Sequence, residues 1–388
     1  MLPQQTRELY LEDKQVHKLA LEILVKNIGL QMEGKEYSEE EIIEVILAAA
    51  AKQTSIEQIC KSSELAPSGN TVRGIIHKQL DIVEAETKAN DMMAEKLPKR
   101  LKKKAYHLAL DLVLLPYHGE ADKEESEISR GQAKSGTTHF HAYASAFIVN
   151  RGKRYTLALT YVRSTDELTE IIERLRNRVK ELGIRVKCWL LDREFFNVAV
   201  IRELKQQGMK FIIPVIIRGK EDPPGGTRAL LVKKRSHWTE YTLNSQKYGS
   251  ISFRVAIVAK NYAGKFNRCG RNLLAYAVNG IRTELKAIAE IYRTRFGIET
   301  SHRQMNQGRA RTCSRSPVMR LLFVAIAFLL RNLWAWLHWA VIAKPNQRER
   351  KLRLACLSLP LMLNWIACVT EENLIAVTKI KVGFPLSL

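Results

Sequence analysis

His107-Leu-Ala-Leu-Asp-Leu-Val-Leu-Leu115 is apolar at both odd and even positions except for a single carboxylate. A run of that kind reads as a central strand, in a sheet covered on both faces. Asp111 in its middle is the anomaly, because a buried carboxylate costs several kcal/mol unless it is paired, protonated or bound to a metal ion. Further along, Val186-Lys-Cys-Trp-Leu-Leu-Asp192 is a second buried strand. It ends on a carboxylate at the carboxyl edge, where α/β sheets place their ligands. A helix over 198–207 and the run Phe211-Ile-Ile-Pro-Val-Ile-Ile217 complete a parallel strand–helix–strand unit.

The flanking segments extend the same α/β pattern. Two β runs, 138–149 and 154–162, follow a polar loop over 120–137 and are separated by Asn150-Arg-Gly-Lys153, a hairpin signal. A helix runs from a cap at Ser164 or Thr165 to Leu182, where Gly183 ends it. The cluster Glu221-Asp-Pro-Pro-Gly-Gly226 opens alternating β patterns to about Asn279, read as an inserted β module. Helical patterns return over 283–305 and 318–343.

Taken singly, each acid has an ordinary explanation. Asp111 could meet a neighbouring Arg or Lys, and Asp192 could cap the turn behind Arg193. Two acids on adjacent strands of a basic chain point instead to a shared cation. The chain is strongly basic: 62 Lys and Arg against 40 Asp and Glu leave a formal charge of +22. That balance favours a polyanionic partner, nucleic acid before an anionic membrane surface. The apolar run 321–330 is preceded by Arg320 and cut by Arg331 and Asn332, so it falls short of the roughly 20 residues a membrane span needs. It reads as a buried core helix, with no membrane partner. Six scattered cysteines without a Cys-x-x-Cys pair, behind a charged and polar N-terminus, predict a cytoplasmic chain without a zinc or disulfide framework.

Residues 1–95 read as an α domain, with a capping box at Ser38 and Glu41. Within it, Ser55-Ile-Glu-Gln-Ile-Cys60, the break Leu65-Ala-Pro-Ser-Gly69 and a helix over 70–80 capped by Asn70 or Thr71 resemble a helix-turn-helix. Its second helix would carry Thr71, Arg73, His77 and Lys78 toward a DNA groove. Lys96-Leu-Pro-Lys-Arg-Leu-Lys-Lys-Lys104 reads as a basic linker, with Lys102, Lys103 and Lys104 available to backbone phosphates.

The last polar stripe lies in Tyr292-Arg-Thr-Arg-Phe-Gly-Ile-Glu-Thr-Ser-His-Arg303, where Tyr292, Arg295, Glu299, Arg303 and Asn306 recur every three or four residues. Phe296 and Ile298 bracket it, and a cationic segment, 303–315, follows. Together these segments resemble the DDE transposases of prokaryotic insertion sequences. The third-acid motif of that family, Tyr-x2-Arg-x3-Glu-x6-Lys, is matched by Tyr292, Arg295 and Glu299, with Asn306 where Lys is expected. The first-acid segment Leu110-Asp-Leu-Val-Leu-Leu-Pro-Tyr-His-Gly119, the second, Leu190-Leu-Asp-Arg-Glu-Phe-Phe196, and the tail over 319–334 look like those of archaeal members.

The resemblance covers 105–340 and implies a ribonuclease H-like mixed sheet with flanking helices and a β-rich insertion before the Glu helix. It implies a DNA transposase acting by two-metal phosphoryl transfer. Asp111 would bridge two Mg²⁺ or Mn²⁺ ions, and Asp192 and Glu299 would each help hold one. Tyr292 and Arg295 would orient DNA or the Glu helix, and Arg303, Arg309 and Arg311 would hold phosphates. The partners it implies are double-stranded DNA, as terminal inverted repeats and target, and a second copy of the chain as a homodimer in the synaptic complex, in the cytoplasm at the nucleoid.

The expected domains are a helical DNA-binding domain (1–95), the linker (96–104), the catalytic core in two parts (105–220 and 281–345) around the insertion (221–280), and a C-terminal tail (346–388). Two rivals remain open at this stage. His139-Phe-His141 has the spacing of a His-hydrophobic-His nuclease-type transposase, with Tyr292 as nucleophile. The other is a catalytically inactive, transposase-derived DNA-binding regulator.

Overall fold

The computed structural model describes residues 10–119, 126–150, 154–263, 269–343 and 353–377. Part of the expected hairpin (151–153), part of the polar loop (120–125) and part of the expected tail (346–352 and 378–388) lie outside them. The N-terminal part of the chain forms α1 (Asp13–Ile28), α2 (Glu39–Ala51), α3 (Ile56–Lys61), α4 (Gly69–Gln79) and α5 (Ile82–Ala94). Then come β1 (Ala105–Tyr117), β2 (Ser129–Lys134), β3 (Thr137–Ile148), β4 (Thr156–Val162), α6 (Leu168–Glu181), β5 (Arg185–Leu191), α7 (Val198–Gln206) and β6 (Phe211–Pro214). The chain continues through β7 (His237–Ser245), β8 (Gly249–Ala263), β9 (Cys269–Asn279), α8 (Leu285–Arg293), α9 (Gly297–Met305), α10 (Pro317–Leu337) and α11 (Leu359–Asn373).

The chain divides into two compact units, Pro98–Thr300 and residues 1–97 with 301–388. The first is a mixed sheet with strand order β2-β3-β1-β5-β6-β9-β8-β7 and β4 paired to β3. β1, β5 and β6 are parallel, which requires crossover helices; α6 precedes β5 and α7 joins β5 to β6. The expected β-rich region 221–280 joins the same sheet. β9 pairs antiparallel with β6, from Phe211↔Asn279 to Pro214↔Tyr276, so β7, β8 and β9 prolong the same sheet and cover what would be an open edge at β6.

Several boundaries differ from the sequence reading, each for a local reason. The polar loop contains β2, an exposed edge strand without apolar alternation to reveal it. β6 stops at Pro214, which has no N–H to extend a ladder. α6 starts at a Glu167/Glu170 capping box, beyond the expected Ser164 or Thr165, and α4 is capped by Ser68, whose Oγ accepts the Thr71 N–H at 3.1 Å. The Ser38/Glu41 capping box of α2 is present as read.

The second unit is built around α10. Its 317–342 helical run is long and apolar enough to cross a membrane by composition, yet the whole apolar window is buried inside the protein. A helix apolar all round needs neighbours on every side. α1, α2, α4, α5 and α11 supply them. Of the expected second core part, 281–345, α8 packs with the sheet and α10 among the N-terminal helices and α11. Arg331 and Asn332, which interrupt the apolar run, are buried too; Asn332 Nδ2 donates to the Met93 carbonyl at 3.4 Å and Arg331 Nε to Gln304 Oε1 at 3.4 Å. Trp334 Nε1 and His338 Nε2 both reach the Leu357 carbonyl, at 3.0 and 2.8 Å, and tie the segment before α11 to α10. Because His338 Nδ1 accepts the Arg353 N–H, the imidazole is the neutral Nε2–H tautomer, and burial lowers its pKa accordingly. Phe328, fully buried in α10, is expected to cost about 3–5 kcal/mol when cut to Ala. Urea unfolding measures this, and a loss below about 1 kcal/mol would contradict so enclosed a site.

Candidate active site

Strand periodicity and register bring the first two acids together. β1 and β5 are paired in parallel up to Leu110↔Leu191, so the next residues on each, Asp111 and Asp192, sit side by side. Successive side chains alternate faces, which puts Asp111 on the face of Ala109, and Asp192 on that of Leu190. Ala109 and Leu190 belong to one apolar cluster with Ile288, Tyr292 and Ile298 of the α8–α9 segment. Packing that helical segment on this sheet face therefore delivers Glu299 to the two strand acids. The stripe is interrupted by a short 3-10 turn, Thr294–Phe296, and passes from the interior outward: Tyr292 and Arg295 are buried, Glu299 is about half exposed and Arg303 is exposed.

Arg295 is the common partner of all three acids. Its guanidinium lies 3.5 Å from Asp111 Oδ2, 3.7 Å from Asp192 Oδ1 and 3.1 Å from Glu299 Oε1. Only the last is a hydrogen bond; the other two are ion pairs beyond bonding distance. Nε and Nη1 are buried with no hydrogen-bond acceptor, so charge rather than directed bonding holds the group. The aromatic faces of Tyr292 and Phe296 flank it, 5.7 and 5.4 Å from Cζ. Asp192 also accepts the Arg193 N–H at 2.8 Å, so the capping explanation and the clustering explanation both hold for it.

Three carboxylates share the Arg295 guanidinium. The consequence is clearest at Asp111, whose pKa is pushed up to about 7. Burial is the main cause, Arg295 pulls the other way, and Asp192 adds to the rise. Arg295 is itself shifted upward: burial acts against its charge, but Tyr292 and the three acids together outweigh it. Among the described residues no three His, Cys, Asp or Glu side chains stand at metal-ligand spacing; these acids are gathered around the guanidinium. In chemistry the donor set suits a hard divalent ion, being all oxygen, in excess negative charge, and centred on a carboxyl that burial holds partly protonated.

The other candidate residues are dispersed. Lys102, Lys103 and Lys104 are exposed at the amino end of β1, next to a short 3-10 turn, Lys99–Lys103, anchored by buried Leu101. Lys78 is exposed near the end of α4. Arg73 is held by Glu57 Oε2 at 3.2 Å and Asn70 Oδ1 at 2.7 Å. Asn306 accepts from Arg309 Nε at 3.3 Å, and Arg311 is exposed while its N–H bonds the Thr54 carbonyl. His141 is fully buried against Tyr117, ring centroids 5.2 Å apart, while Tyr292 is with the acids. The sequence reading missed the bridging role of Arg295, although its i,i+4 spacing to Glu299 was visible.

Fold and acid cluster together define a class. Residues 102–333 match the transposase DDE domain family, and the chain belongs to it. Members of this family generally use divalent metal ions. Among solved structures, the fold is similar to a piggyBac transposase captured by cryo-EM as a synaptic complex with hairpin DNA. The TM-score is 0.53 at 13% identity, over 97% of this chain and 84% of that one. No curated protein matches the chain.

Proposed function

We propose that the chain is the DNA transposase of an insertion sequence, which binds the element's ends and carries out metal-dependent strand cleavage and strand transfer. The observation that carries this reading is the convergence of Asp111, Asp192 and Glu299, from three distant segments, on one buried guanidinium. Asp111, Asp192 and Glu299 are the residues that would hold the Mg²⁺ or Mn²⁺ ions. A divalent ion held there would supply activation of the attacking oxygen and charge stabilisation of the leaving oxygen.

The chain's own groups supply position and charge. Two acids stand on a rigid sheet, and Tyr292 packs under Arg295, which spreads one positive charge over all three carboxylates. Exposed Arg303, Arg311, Lys78 and Lys102–Lys104, together with Arg309 and Arg73, are the contacts proposed for duplex phosphates. Asn306 replaces a family lysine but still orients a cation, Arg309. The similar fold captured in a synaptic complex with hairpin DNA supports DNA as partner, and a homodimer for synapsis is part of the same proposal. A tyrosine-nucleophile reading is disfavoured because burial raises the Tyr292 phenol above its usual range, opposite to what a nucleophile needs.

The test is cleavage of the element's terminal DNA with Mg²⁺ by wild type and by Asp111→Ala, Asp192→Ala and Glu299→Ala. Loss in all three is expected. Metal-dependent cleavage surviving all three, or a 5′-phosphotyrosine product, would sink the proposal.

A further inference from the structure

The edge of the sheet opposite the acids carries a second cationic feature. A cleft of about 620 Å³ is lined by Lys210, Arg254, Gly280, Ile281 and Arg282. Lys210 stands at the amino end of β6 and Gly280 just past the carboxyl end of β9, which runs beside it antiparallel. Arg254 is the β8 residue at which the β8–β9 pairing ends, opposite Val278, and its guanidinium lies 4.4 Å from the Trp238 ring. All three cations are exposed, and among the described residues none has a carboxylate within the 4.0 Å of an ion pair. Three like charges lining one cleft repel each other, and an anion placed between them relieves that cost.

The cleft does not stand alone. On the next strand toward β1, Lys187 is exposed, and Arg185 Nη2 bonds the Lys103 carbonyl. Lys102 closes the row, since a Cβ built on Gly183 would meet its Cδ at 3.6 Å. The cations thus run along the amino ends of β1, β5 and β6 to the neighbouring ends of β9 and β8. Four strand spacings make that row about 20 Å long, or roughly six base-pair steps of duplex. From Arg185 to Asp192 along β5 is again about 20 Å, so a phosphate here is not the one at the acids.

We propose that this cleft, with the row continuing to Lys102, is a second phosphodiester-binding surface, which holds a stretch of duplex DNA other than the one being cut. The proposal rests on the DNA-processing reading but is measured without cleavage. The experiment is anisotropy binding of a 40-base-pair duplex to the full chain carrying Asp111→Asn, in EDTA, across a range of salt. Lys210→Gln/Arg254→Gln/Arg282→Gln is expected to weaken binding at least ten-fold near 0.1 M salt. Each lost phosphate contact removes about 0.9 from the slope of log affinity against log salt, so a drop of about 2–3 is expected. The charge-keeping set Lys210→Arg/Arg254→Lys/Arg282→Lys retains both affinity and slope, and matching thermal melts exclude a folding defect.

Unchanged affinity and slope in the Gln set overturn the proposal. It is equally overturned if inorganic pyrophosphate binds wild type, fails to bind the Gln set, and duplex affinity is unaltered, for then the cleft serves a free phosphate. Failure of the triad reading shows only in the cleavage assay, and failure of this one only in binding.

Discussion

Asp111→Asn is expected to lower metal-dependent cleavage about a thousand-fold or more, while making the metal-free protein more stable at pH 8. The two effects share one cause. The carboxylate is buried beside two other acids that share the Arg295 guanidinium with it, so its charge is costly without a divalent ion and would be offset by one. Removing several kcal/mol of charge stabilisation corresponds to a rate loss of that order.

The stability effect has a definite pH window. Asp111 titrates near its ordinary value of 3.8 when unfolded and at about 7 when folded. Below about pH 4 both states hold the proton and the substitution changes little. Between about 4 and 7 the unfolded chain releases a proton that the folded one keeps, so wild-type stability falls as pH rises. Above 7 the folded carboxylate is charged at its full cost, and Asn removes it, a gain on the order of a few kcal/mol. Urea unfolding in EDTA at pH 4 and pH 8 measures the difference. A variant less stable than wild type at pH 8 would mean that the carboxylate is well paired and the charge-deficit account is wrong.

Arg295→Gln has the opposite sign. Arg295 is 5% exposed and lies within ion-pair distance of all three acids. Removing one side of a buried charge cluster costs about 3–5 kcal/mol, because the remaining charges are left uncompensated. The loss is expected at pH 8 in EDTA. It should shrink at pH 5, where the Asp111 carboxyl is protonated, and shrink again on adding Mg²⁺, which then has no guanidinium to compete with. Denaturation under the three conditions checks this. An equal loss in all of them would assign Arg295 to packing against Tyr292 and Phe296 rather than to charge balance.

The amino-acid sequence by itself determined the local part of this protein. Asp111 and Asp192 stand out because a carboxylate within or ending an apolar strand is costly on any sheet, a property of the residue and its near neighbours. The Ser38 capping box, the buried nature of α10 and the parallel β5–α7–β6 unit were legible for the same reason, since each is set within a few residues by periodicity or by one side chain bonding a nearby N–H. Glu299 was placed chiefly through the family motif, for a half-exposed helical Glu carries no burial cost to reveal it.

Only the tertiary structure decided which distant segments meet. β9 lies against β6, which makes the 221–280 region part of one sheet, because the open edge of β6 is satisfied by a strand some 60 residues later. α10 joins the N-terminal helices and α11 because together they enclose it. Arg295 reaches three acids at once because the pairing register of β1 with β5 and the docking of α8–α9 act together. Those are long-range packing outcomes, and no spacing within a single segment encodes them.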